Sequence, residues 1–549
     1  MQLIECVPNF SEGNDLNIIR QITDEIEKVE GVRLLNVDPG KATNRTVVTM
    51  VGEPARVIEA AFNCIKKAGE LIDMSKHKGE HPRMGATDVC PLIPIANISM
   101  EETAAYAQQL AKRVGEELKI PVYLYEAAQP NKERSNLSVI RAGEYEGFFK
   151  KIKEPQWKPD FGPAEFDAKR GGTVIGARDF LVAYNVNLNT TSTRRANAIA
   201  FDVREAGRNI DVDGKKVNQP GTLKSVKAIG WFIEEYGVAQ ISMNLTNINV
   251  TPVHIAFDEV CTRATARGVR VTGSELVGLI PLKAMLDAGK YFLQKQNRST
   301  GVSEKELIKI AIKSMGLDEL GPFKPEERII EYMLADKANS RLVNMKLTDF
   351  ADETASESPA PGGGSISAYV GALGISLGTM VANLSSHKKG WDDRWKEFSD
   401  WAEKGEYYKN ELIRLVDADT LAFNKIMQAF GLPKATEEEK KARKQAIQEA
   451  TKFAIEIPFR VMETAYESMA VIKQMVIEGN PNSVTDAGVG ALCARSAVIG
   501  ACMNVRINAT GYDDKVFVND IVTRAKAIEA KAIALEAEIV GLVNAKIGV

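Results

Sequence analysis

The chain has 549 residues, of which 44% are hydrophobic and 26% are charged, a composition typical of a globular protein with about two to four domains. Its formal net charge of −3 gives no electrostatic basis for binding nucleic acid or an anionic membrane, so we expect neither partner. The six cysteines are scattered without a CxxC pair and the first residues do not resemble a signal peptide, which favours reduced thiols and a cytoplasmic location.

Strand and helix patterns alternate over the first third of the chain. Short apolar segments predict strands at residues 3–7, 32–36, 45–51 and 122–125 and directly after residue 88. Apolar residues three and four positions apart predict helices at residues 14–29, 54–73 and 101–118. This β-α-β-β-α-β order predicts a ferredoxin-like α+β subdomain, in which helices cover one side of a sheet.

The pattern starts again after a loop-rich connection at residues 154–172. Strands are predicted at residues 180–188, 224–232, 238–244 and 269–272. Helices are predicted at residues 193–206 and 252–267. We therefore predict a second α+β subdomain of ferredoxin-like order, with a site between the two subdomains.

Beyond about residue 325 the strand signals disappear. Long segments rich in lysine, glutamate and alanine have helical apolar spacing at residues 392–427, 436–479 and 516–547. They predict a C-terminal helical bundle domain, so the fold class is α+β followed by all-α. The domains we expect are two α+β subdomains at 1–178 and 179–325, a linker at 326–344 and a helical domain at 345–549.

Two of the four histidines lie in residues 75–88, between a predicted helix and a predicted strand. This stretch contains His77, Glu80, His81, Arg83 and Asp88. The histidine spacing is also that of two zinc ligands on a helix, but Gly79 and Pro82 interrupt a helix and no third ligand is evident. An ordinary surface loop is the other alternative. The crowding of ionisable groups on a helix-to-strand connection favours an acid/base site.

Two features of the helical region are candidates for chemistry. The Pro-Gly-Gly-Gly-Ser segment at residues 361–365 opens an apolar helix that contains further glycines. Its glycines can bind an anion at the helix N-terminus or allow two helices to cross closely. Asp419 falls four residues from both Leu415 and Phe423 on an apolar face, where a carboxylate is either paired in the core or functional.

Longer motifs resemble two known families. The sequence resembles the formimidoyltransferase family at residues 6–13 (CVPNFSEG), 43–46 (TNRT), 77–88, 160–163 (DFGP), 176–181 (GARDFL) and 273–281 (GSELVGLIP). It resembles the cyclodeaminase family at residues 360–365 (APGGGS), 415–423 (LVDADTLAF) and 432–434 (LPK). The order of these motifs and the total length match the family in which the two enzymes are fused.

The resemblance implies two consecutive steps of histidine degradation. The first transfers the formimidoyl group of N-formimidoyl-L-glutamate to N5 of tetrahydrofolate and releases glutamate. The second closes the ring to 5,10-methenyltetrahydrofolate and releases ammonia. The resemblance implies that His81 is the transferase histidine and Asp419 the catalytic acid of the cyclodeaminase. It also implies a folate-contacting segment: Gly162, Pro163, Ala164, Glu165, Phe166, Asp167, Ala168, Lys169, Arg170 and Gly171.

The residues around His81 fit the first step. Histidine titrates near neutral pH, so His81 can accept the N5 proton and return it to the departing glutamate nitrogen. A protonated amidine needs a nearby carboxylate, for which the candidates are Asp38, Glu80 and Asp88. Guanidinium groups bind carboxylates bidentately, and the candidates for the substrate carboxylates are Arg45 and Arg83.

In the second step N10 of the folate attacks, and a carboxyl with a raised pKa at Asp419 can protonate the leaving ammonia. Tetrahydrofolate, expected in its polyglutamylated form, is the co-substrate, and no metal is expected. The resemblance also implies a homo-oligomer, a ring of dimers. Two alternatives remain, namely that the helical domain is a methenyltetrahydrofolate cyclohydrolase or that the chain is a folate-binding scaffold without turnover. The signature of a scaffold would be the loss of His81 or Asp419.

Overall fold

The computed structural model describes residues 2–41, 43–79, 82–334 and 341–548. The chain divides into two compact units. The first, which we call the α+β unit, consists of Met1–Ala284 and Met315–Leu334. The second, which we call the helical unit, consists of Met285–Ser314 and Ala335–Val549. The predicted fold class, α+β followed by all-α, is confirmed.

The elements follow the predicted order over most of the chain. The strands are β1 (Leu3–Cys6), β2 (Asn9–Phe10), β3 (Val32–Gly40), β4 (Arg45–Gly52), β5 (Thr87–Ala96), β6 (Val122–Glu126), β7 (Thr173–Ala177), β8 (Val182–Leu188), β9 (Arg208–Val212), β10 (Lys215–Gln219), β11 (Val226–Ile233), β12 (Val238–Leu245) and β13 (Val271–Val277). The α-helices are α1 (Leu16–Glu27), α2 (Pro54–Leu71), α3 (Met100–Glu117), α4 (Leu137–Arg141), α5 (Glu144–Lys151), α6 (Thr193–Val203), α7 (Val253–Ala266), α8 (Leu282–Lys295), α9 (Glu304–Met315), α10 (Pro325–Arg328), α11 (Ile330–Leu334), α12 (Leu347–Ala355), α13 (Gly363–Ser386), α14 (Trp395–Phe430), α15 (Glu437–Glu478), α16 (Val484–Ala509) and α17 (Lys515–Ile547).

The first sheet has seven strands, two more than the five predicted in this part of the chain. Strands β1 and β2 each pair antiparallel with β4 and β5, and β3 extends the sheet beyond β4. At the other side, β7 lies between β5 and β6 and pairs with both in parallel. Strand β7 follows the loop-rich connection and was not predicted, and it joins that connection to the first sheet.

The parallel part of this sheet is covered on both faces, whereas the sequence predicted helices on one side. Successive side chains of a strand point to opposite faces. Leu124 and Ile175 therefore pack into a core with helices α1–α3. Their neighbours Tyr123 and Val174 pack on the other face, against Phe148 of α5. Helices α4 and α5 were not predicted, because they are five and eight residues long and too short to show a helical apolar period.

The second sheet has the ferredoxin-like order that was predicted. Its strands are arranged β11-β12-β8-β13, and every neighbouring pair is antiparallel. Helices α6 and α7 contact the sheet, and its buried polar residues include Gln240, whose Nε2 donates to Asn187 Oδ1 at 2.8 Å. The additional hairpin β9–β10 was not predicted, because most of its residues are polar and exposed.

The helical unit is built on the long helices α13–α17, which enclose one apolar core. Gly374 of α13 lies so close to α16 that a Cβ atom there would come within 2.7 Å of Gly490 O. By length and composition alone, Gly363–Ser386 and Pro481–Ala509 are long and apolar enough to span a membrane. In the structure both contribute to the core of the bundle, for example through Ile375 and Val498.

A segment that precedes the predicted helical domain also packs into the helical unit. The backbone N–H of Thr300 donates to Ser399 Oγ at 3.0 Å, and Asn383 Nδ2 donates to Gly301 O at 2.8 Å. This compact division differs from the predicted boundary at residue 325, which was based on a change of composition. The composition of a segment indicates its local structure, but it does not indicate which other part of the chain the segment packs against.

Candidate active sites

A cleft of about 330 Å³ opens in the α+β unit. Strands β1–β6 of the first sheet form one part of its wall, and helix α4 contributes Leu137 and Arg141. Residues between 178 and 183, residue 244 and residues 277–279 form another part. The ionisable side chains that line it are Glu5, Asp38, Arg45, Tyr125, Arg141 and Arg178. The cleft therefore brings two predicted site residues, Asp38 and Arg45, together with four that the sequence did not single out.

Asp88 forms ion pairs with two arginines of the cleft, whereas it was predicted as a candidate to stabilise the protonated amidine of the substrate. Its buried Oδ2 lies 2.5 Å from Arg45 Nη1 and 2.9 Å from Arg141 Nη2, and its Oδ1 accepts the Met84 N–H at 3.0 Å. Arg45 also donates through Nε and Nη2 to Asn9 Oδ1. Burial lowers the pKa of Arg45, and the charge of Asp88 opposes that effect. Asp88 is thus committed to protein partners.

Two other carboxyl groups line the cleft. Asp38 is exposed on β3, opposite Val47 of β4. Glu5 is only 5% exposed on β1, and burial raises its pKa to about 7, an effect that the charge of Arg178 opposes and that of Glu331 reinforces. Glu5 therefore exchanges its proton near neutral pH, which is unusual for a carboxyl group.

Residues 43–45 anchor the stretch that contains the two histidines. Asn44 Nδ2 donates to Lys78 O at 2.8 Å. Gly79 lies so close to Thr43 that a Cβ atom at position 79 would collide with Thr43 O. Only glycine allows this approach, so the TNRT motif and the histidine stretch depend on each other.

His81 and Glu80 lie outside the described residues, so their predicted roles stay predictions. Pro82 follows His81 in the chain, and its carbonyl oxygen accepts a hydrogen bond from Arg45 Nη1 at 3.4 Å. The chain next to His81 is therefore in contact with an arginine that lines the cleft.

Arg83 does not line the cleft, although it was predicted to bind a substrate carboxylate. Its guanidinium pairs with Glu146 at 2.6 Å and Glu144 at 3.4 Å, and its Nε donates to His77 Nδ1 at 3.2 Å. His77 Nε2 in turn lies 2.8 Å from Asn44 O, which fits a neutral ring that donates through Nε2 and accepts at Nδ1. Both side chains are thus engaged in holding the loop.

The predicted folate segment, residues 162–171, runs beside the loop that follows His81. Gly171 forms a β-bridge with Gly85, and Ala86 N donates to Arg170 O at 2.8 Å. Asp167 holds the turn, since its carboxylate accepts from the backbone N–H groups of Lys169 and Arg170. The exposed members of the segment are Gly162, Ala164, Glu165, Ala168 and Lys169. None of residues 162–171 is among the described residues that line the cleft.

Asp419, on α14 of the helical unit, contacts the N-terminus of α13. Its Oδ2 accepts the backbone N–H of Ser365 at 2.9 Å, and the Ser365 hydroxyl is 3.2 Å away. A Cβ atom on Gly364 would collide with Asp419 Oδ1, so the glycine is what allows the carboxylate to approach. Burial raises the pKa of Asp419, while the hydrogen bonds from Ser365 act in the opposite direction. The Gly-rich turn thus binds the carboxyl group of Asp419 through the Ser365 N–H.

Asp417, two residues earlier on α14, has a different environment. Its carboxylate is buried and accepts the backbone N–H groups of Leu342 at 2.8 Å and Val343 at 3.2 Å. Side chains two apart on a helix point in different directions. Asp417 therefore fixes the chain that enters the bundle, and Asp419 faces the Gly-rich turn.

Some of the cleft residues that were not predicted are marked by a feature of the sequence, and one of them is not. Arg178 falls within the GARDFL motif and Asn9 within the CVPNFSEG motif, so both motifs marked the site. Glu5 interrupts an apolar strand, and an acidic residue at a buried strand position is a usable signal. Arg141 ends the five-residue helix α4, and no pattern around it indicates its place.

Family models match the chain in three successive parts. The formiminotransferase domain, N-terminal subdomain, matches residues 3–178, and the formiminotransferase domain matches residues 183–335. The model described as formiminotransferase-cyclodeaminase matches residues 346–527.

Three curated relatives illustrate the similarity. A formimidoyltransferase-cyclodeaminase of Gallus gallus is 44% identical over 95% of this chain and 96% of its own length. A glutamate formimidoyltransferase of Thermoplasma acidophilum is 44% identical over 57% of this chain and 99% of its own. A methenyltetrahydrofolate cyclohydrolase of Methylorubrum extorquens is 36% identical over 37% of this chain and 98% of its own.

The fold and the two sites define a class of two-part enzymes, in which an α+β unit with a charged cleft is joined to a helical bundle with a carboxylate at a helix N-terminus. The nearly complete overlap with a relative 44% identical places the chain within that class. It belongs to the formiminotransferase-cyclodeaminase family.

Proposed function

We propose that the chain catalyses two consecutive folate reactions. It transfers the formimidoyl group from N-formimidoyl-L-glutamate to tetrahydrofolate, giving 5-formimidoyltetrahydrofolate and L-glutamate. It then cyclises this product to 5,10-methenyltetrahydrofolate with release of ammonia. The observation that carries the proposal is the match to a fused relative over 95% of the chain, which spans both candidate sites.

In the first reaction His81 acts as the base. N5 of tetrahydrofolate attacks the amidine carbon, His81 accepts the N5 proton, and the same proton passes to the glutamate nitrogen as that bond breaks. Asp38 stabilises the protonated amidine from the cleft wall, and Arg45 contributes positive charge for the substrate carboxylates. Support comes from the lining of the cleft by Asp38 and Arg45 and from the contact of Arg45 with Pro82. Arg83 holds the loop through His77 and Glu146.

The folate contacts residues 162–171 in this proposal. The backbone bridge between Gly171 and Gly85 couples that segment to the loop of His81. Exposed Lys169 supplies positive charge for a polyglutamylated folate tail. Neither reaction requires a metal, because proton transfer and charge stabilisation are supplied by side chains.

In the second reaction Asp419 acts as the acid. N10 attacks the formimidoyl carbon and its proton passes to the formimidoyl nitrogen; the carboxyl of Asp419 supplies the second proton, and the carbon–nitrogen bond breaks to release ammonia and leave the methenyl cation. Burial favours the protonated carboxyl, which is the form that donates. Phe423, one helical turn away and 38% exposed, offers apolar surface for the folate rings.

The domain limits 1–178, 179–325, 326–344 and 345–549 remain part of the proposal, supported by the family matches to 3–178, 183–335 and 346–527. We place the protein in the cytoplasm as a homo-oligomer built from dimers. Exposed apolar side chains on α13 and α16 support an interface between subunits: Leu373, Met380, Leu384, Val489, Leu492, Met503 and Ile507. The six free cysteines fit a reducing compartment.

A second candidate activity concerns the helical unit alone. The similarity to a methenyltetrahydrofolate cyclohydrolase favours water as an additional reactant at the site of Asp419. Incubating the full chain with 5,10-methenyltetrahydrofolate and following its disappearance distinguishes a cyclohydrolase, which hydrolyses this compound, from a cyclodeaminase, which forms it. Ammonia release from 5-formimidoyltetrahydrofolate without hydrolysis of the methenyl product supports the cyclodeaminase.

The decisive experiment separates the two reactions in the full-length protein. His81→Ala should lower glutamate release by about a hundredfold or more and leave ammonia release from supplied 5-formimidoyltetrahydrofolate intact. Asp419→Asn should do the reverse. Asp417→Asn is the matched control, because its amide keeps only one acceptor oxygen for the N–H groups of Leu342 and Val343, so it should lower the unfolding midpoint while ammonia release persists. Loss of both activities in a folded His81 or Asp419 variant would refute this division of roles.

A further inference from the structure

We infer that Arg141, together with Arg178, binds a carboxylate of the formimidoylglutamate donor in the cleft of the α+β unit. The inference rests on the proposed transferase function and names the residues that hold its donor. The two arginines come from different parts of the chain, α4 and the segment that follows β7, and both line the same cleft.

Arg141 has hydrogen-bonding capacity that the protein does not use. Its Nη2 pairs with Asp88 at 2.9 Å, but its buried Nε has no hydrogen-bond partner among the described residues. Asp88 also serves Arg45 and the Met84 N–H, so its oxygens are divided among three donors. A buried guanidinium with an unpaired N–H at the wall of a cleft is a site for an acceptor, and a carboxylate matches its planar donors.

The position of Arg141 is fixed before any ligand binds. Lys151 Nζ of α5 donates to the carbonyl oxygens of Val139, Ile140 and Ala142 at 2.8, 2.7 and 3.0 Å. These bonds hold the end of α4, and the Arg141 side chain is only 13% exposed. A group that is already immobilised loses little entropy when it binds a ligand.

Arg178 contributes the second positive charge. Its Nη1 donates to Asp179 O at 2.8 Å, and it also hydrogen-bonds the Tyr125 side chain. Glu5, whose carboxyl feels the charge of Arg178, is nearly buried and is not a permanent counter-charge near neutral pH. An anionic ligand therefore finds positive charge in this cleft that the protein does not fully neutralise.

The chemistry favours the donor as the source of the carboxylate. Formimidoylglutamate carries two carboxylates close to its reacting carbon, and Arg83, the other predicted arginine, is engaged by Glu144 and Glu146. The glutamate tail of the folate has the same chemistry, so the experiment needs one arm for each substrate.

The test measures steady-state kinetics of Arg141→Gln, Arg141→Lys and Arg178→Gln in the full-length protein. Arg141→Gln should raise KM for formimidoylglutamate by about tenfold or more, with KM for tetrahydrofolate unchanged and kcat less affected. Arg141→Lys keeps the charge without the planar donors, so its KM for formimidoylglutamate should lie between those of wild type and Arg141→Gln. Arg195→Gln is the control that should match wild type, because Arg195 is exposed on α6 and does not line the cleft.

Glutarate, a dicarboxylate without the amidine, provides a readout that does not depend on turnover. It should raise the unfolding midpoint of wild type and have little effect on Arg141→Gln. If Arg141→Gln does not fold, Arg178→Gln tests the same site without disturbing Asp88. Unchanged donor KM in folded, active variants refutes the inference, and so does an increase confined to KM for tetrahydrofolate. A wild type that is stabilised by glutarate but transfers no formimidoyl group would keep the carboxylate site and refute the proposed function.

Discussion

At the scale of single residues, Glu5 shows how burial on a strand changes an acid. Its folded pKa of about 7 is above the ordinary value of 4.5, so the folded protein binds a proton that the unfolded chain releases. The folded state is therefore favoured fully below about pH 4.5 and loses this contribution as the pH rises through about 7. The charged groups that act on this carboxyl are Arg178 and Glu331.

We predict that Glu5→Gln removes this pH dependence. Glutamine stays neutral, so the variant should gain stability relative to wild type as the pH rises, by up to about 3 kcal/mol. Thermal unfolding midpoints of both proteins across that pH interval measure the difference. A difference that stays constant with pH would contradict the raised pKa.

The pair Asp417 and Asp419 shows how two identical side chains on one helix acquire different roles. The first satisfies backbone N–H groups of the entering chain, and the second meets the open N-terminus of α13. The difference follows from helix geometry, because residues two apart lie on different sides of the helix.

At the scale of elements, the N-terminus of α13 creates the second site. The helix dipole and its unpaired N–H groups favour a negative charge there, while burial favours the protonated carboxyl. The two effects oppose each other at Asp419, and burial prevails. Its Ser365 partner sits within the same Gly-rich turn, so one short motif both positions and tunes the acid.

Gly364→Ala tests this arrangement. The added Cβ would collide with the Asp419 carboxylate and displace it, so ammonia release should fall by about tenfold or more while glutamate release persists. Gly363→Ala is the matched control, since the nearest atom to a Cβ there is an Asn504 side-chain atom at 3.4 Å, an ordinary contact. Equal effects of the two substitutions would contradict the proposed role of position 364.

At the scale of the whole molecule, the helical unit takes residues from two separate parts of the chain. Ser299 and Thr300 are buried, and Leu342 lies in the core and donates its N–H to Asp417. Residues upstream of position 345 therefore contribute to the stability of the unit that carries Asp419.

We predict that a fragment 345–549 is less stable than a fragment 285–549. Loss of Leu342 alone should cost about 2–5 kcal/mol by analogy with buried leucine deletions, which corresponds to a midpoint lower by about 5 °C or more. Thermal unfolding of both fragments, together with ammonia release from 5-formimidoyltetrahydrofolate, measures the effect. Equal midpoints would show that the upstream segment is dispensable.

The sequence by itself determined the fold class, most strands and helices in order, and the ferredoxin-like succession of elements along the chain of the second subdomain. These features are local, because periods of two and about 3.6 residues are written into neighbouring positions. The motifs also directed attention to the histidine stretch and to Asp419, whose catalytic roles remain predictions.

Only the tertiary structure decided which side chains meet. In the structure β7 lies between β5 and β6, and Arg83 pairs with Glu146. Arg141 and Glu5, which are far apart in the sequence, line the same cleft. Pairing between distant segments depends on the shape and charge of surfaces that form after the elements do, and no periodicity in the chain records it. For that reason the motifs identified the family, while the place of Arg141 in the cleft, on which our further inference rests, had to be found in the fold.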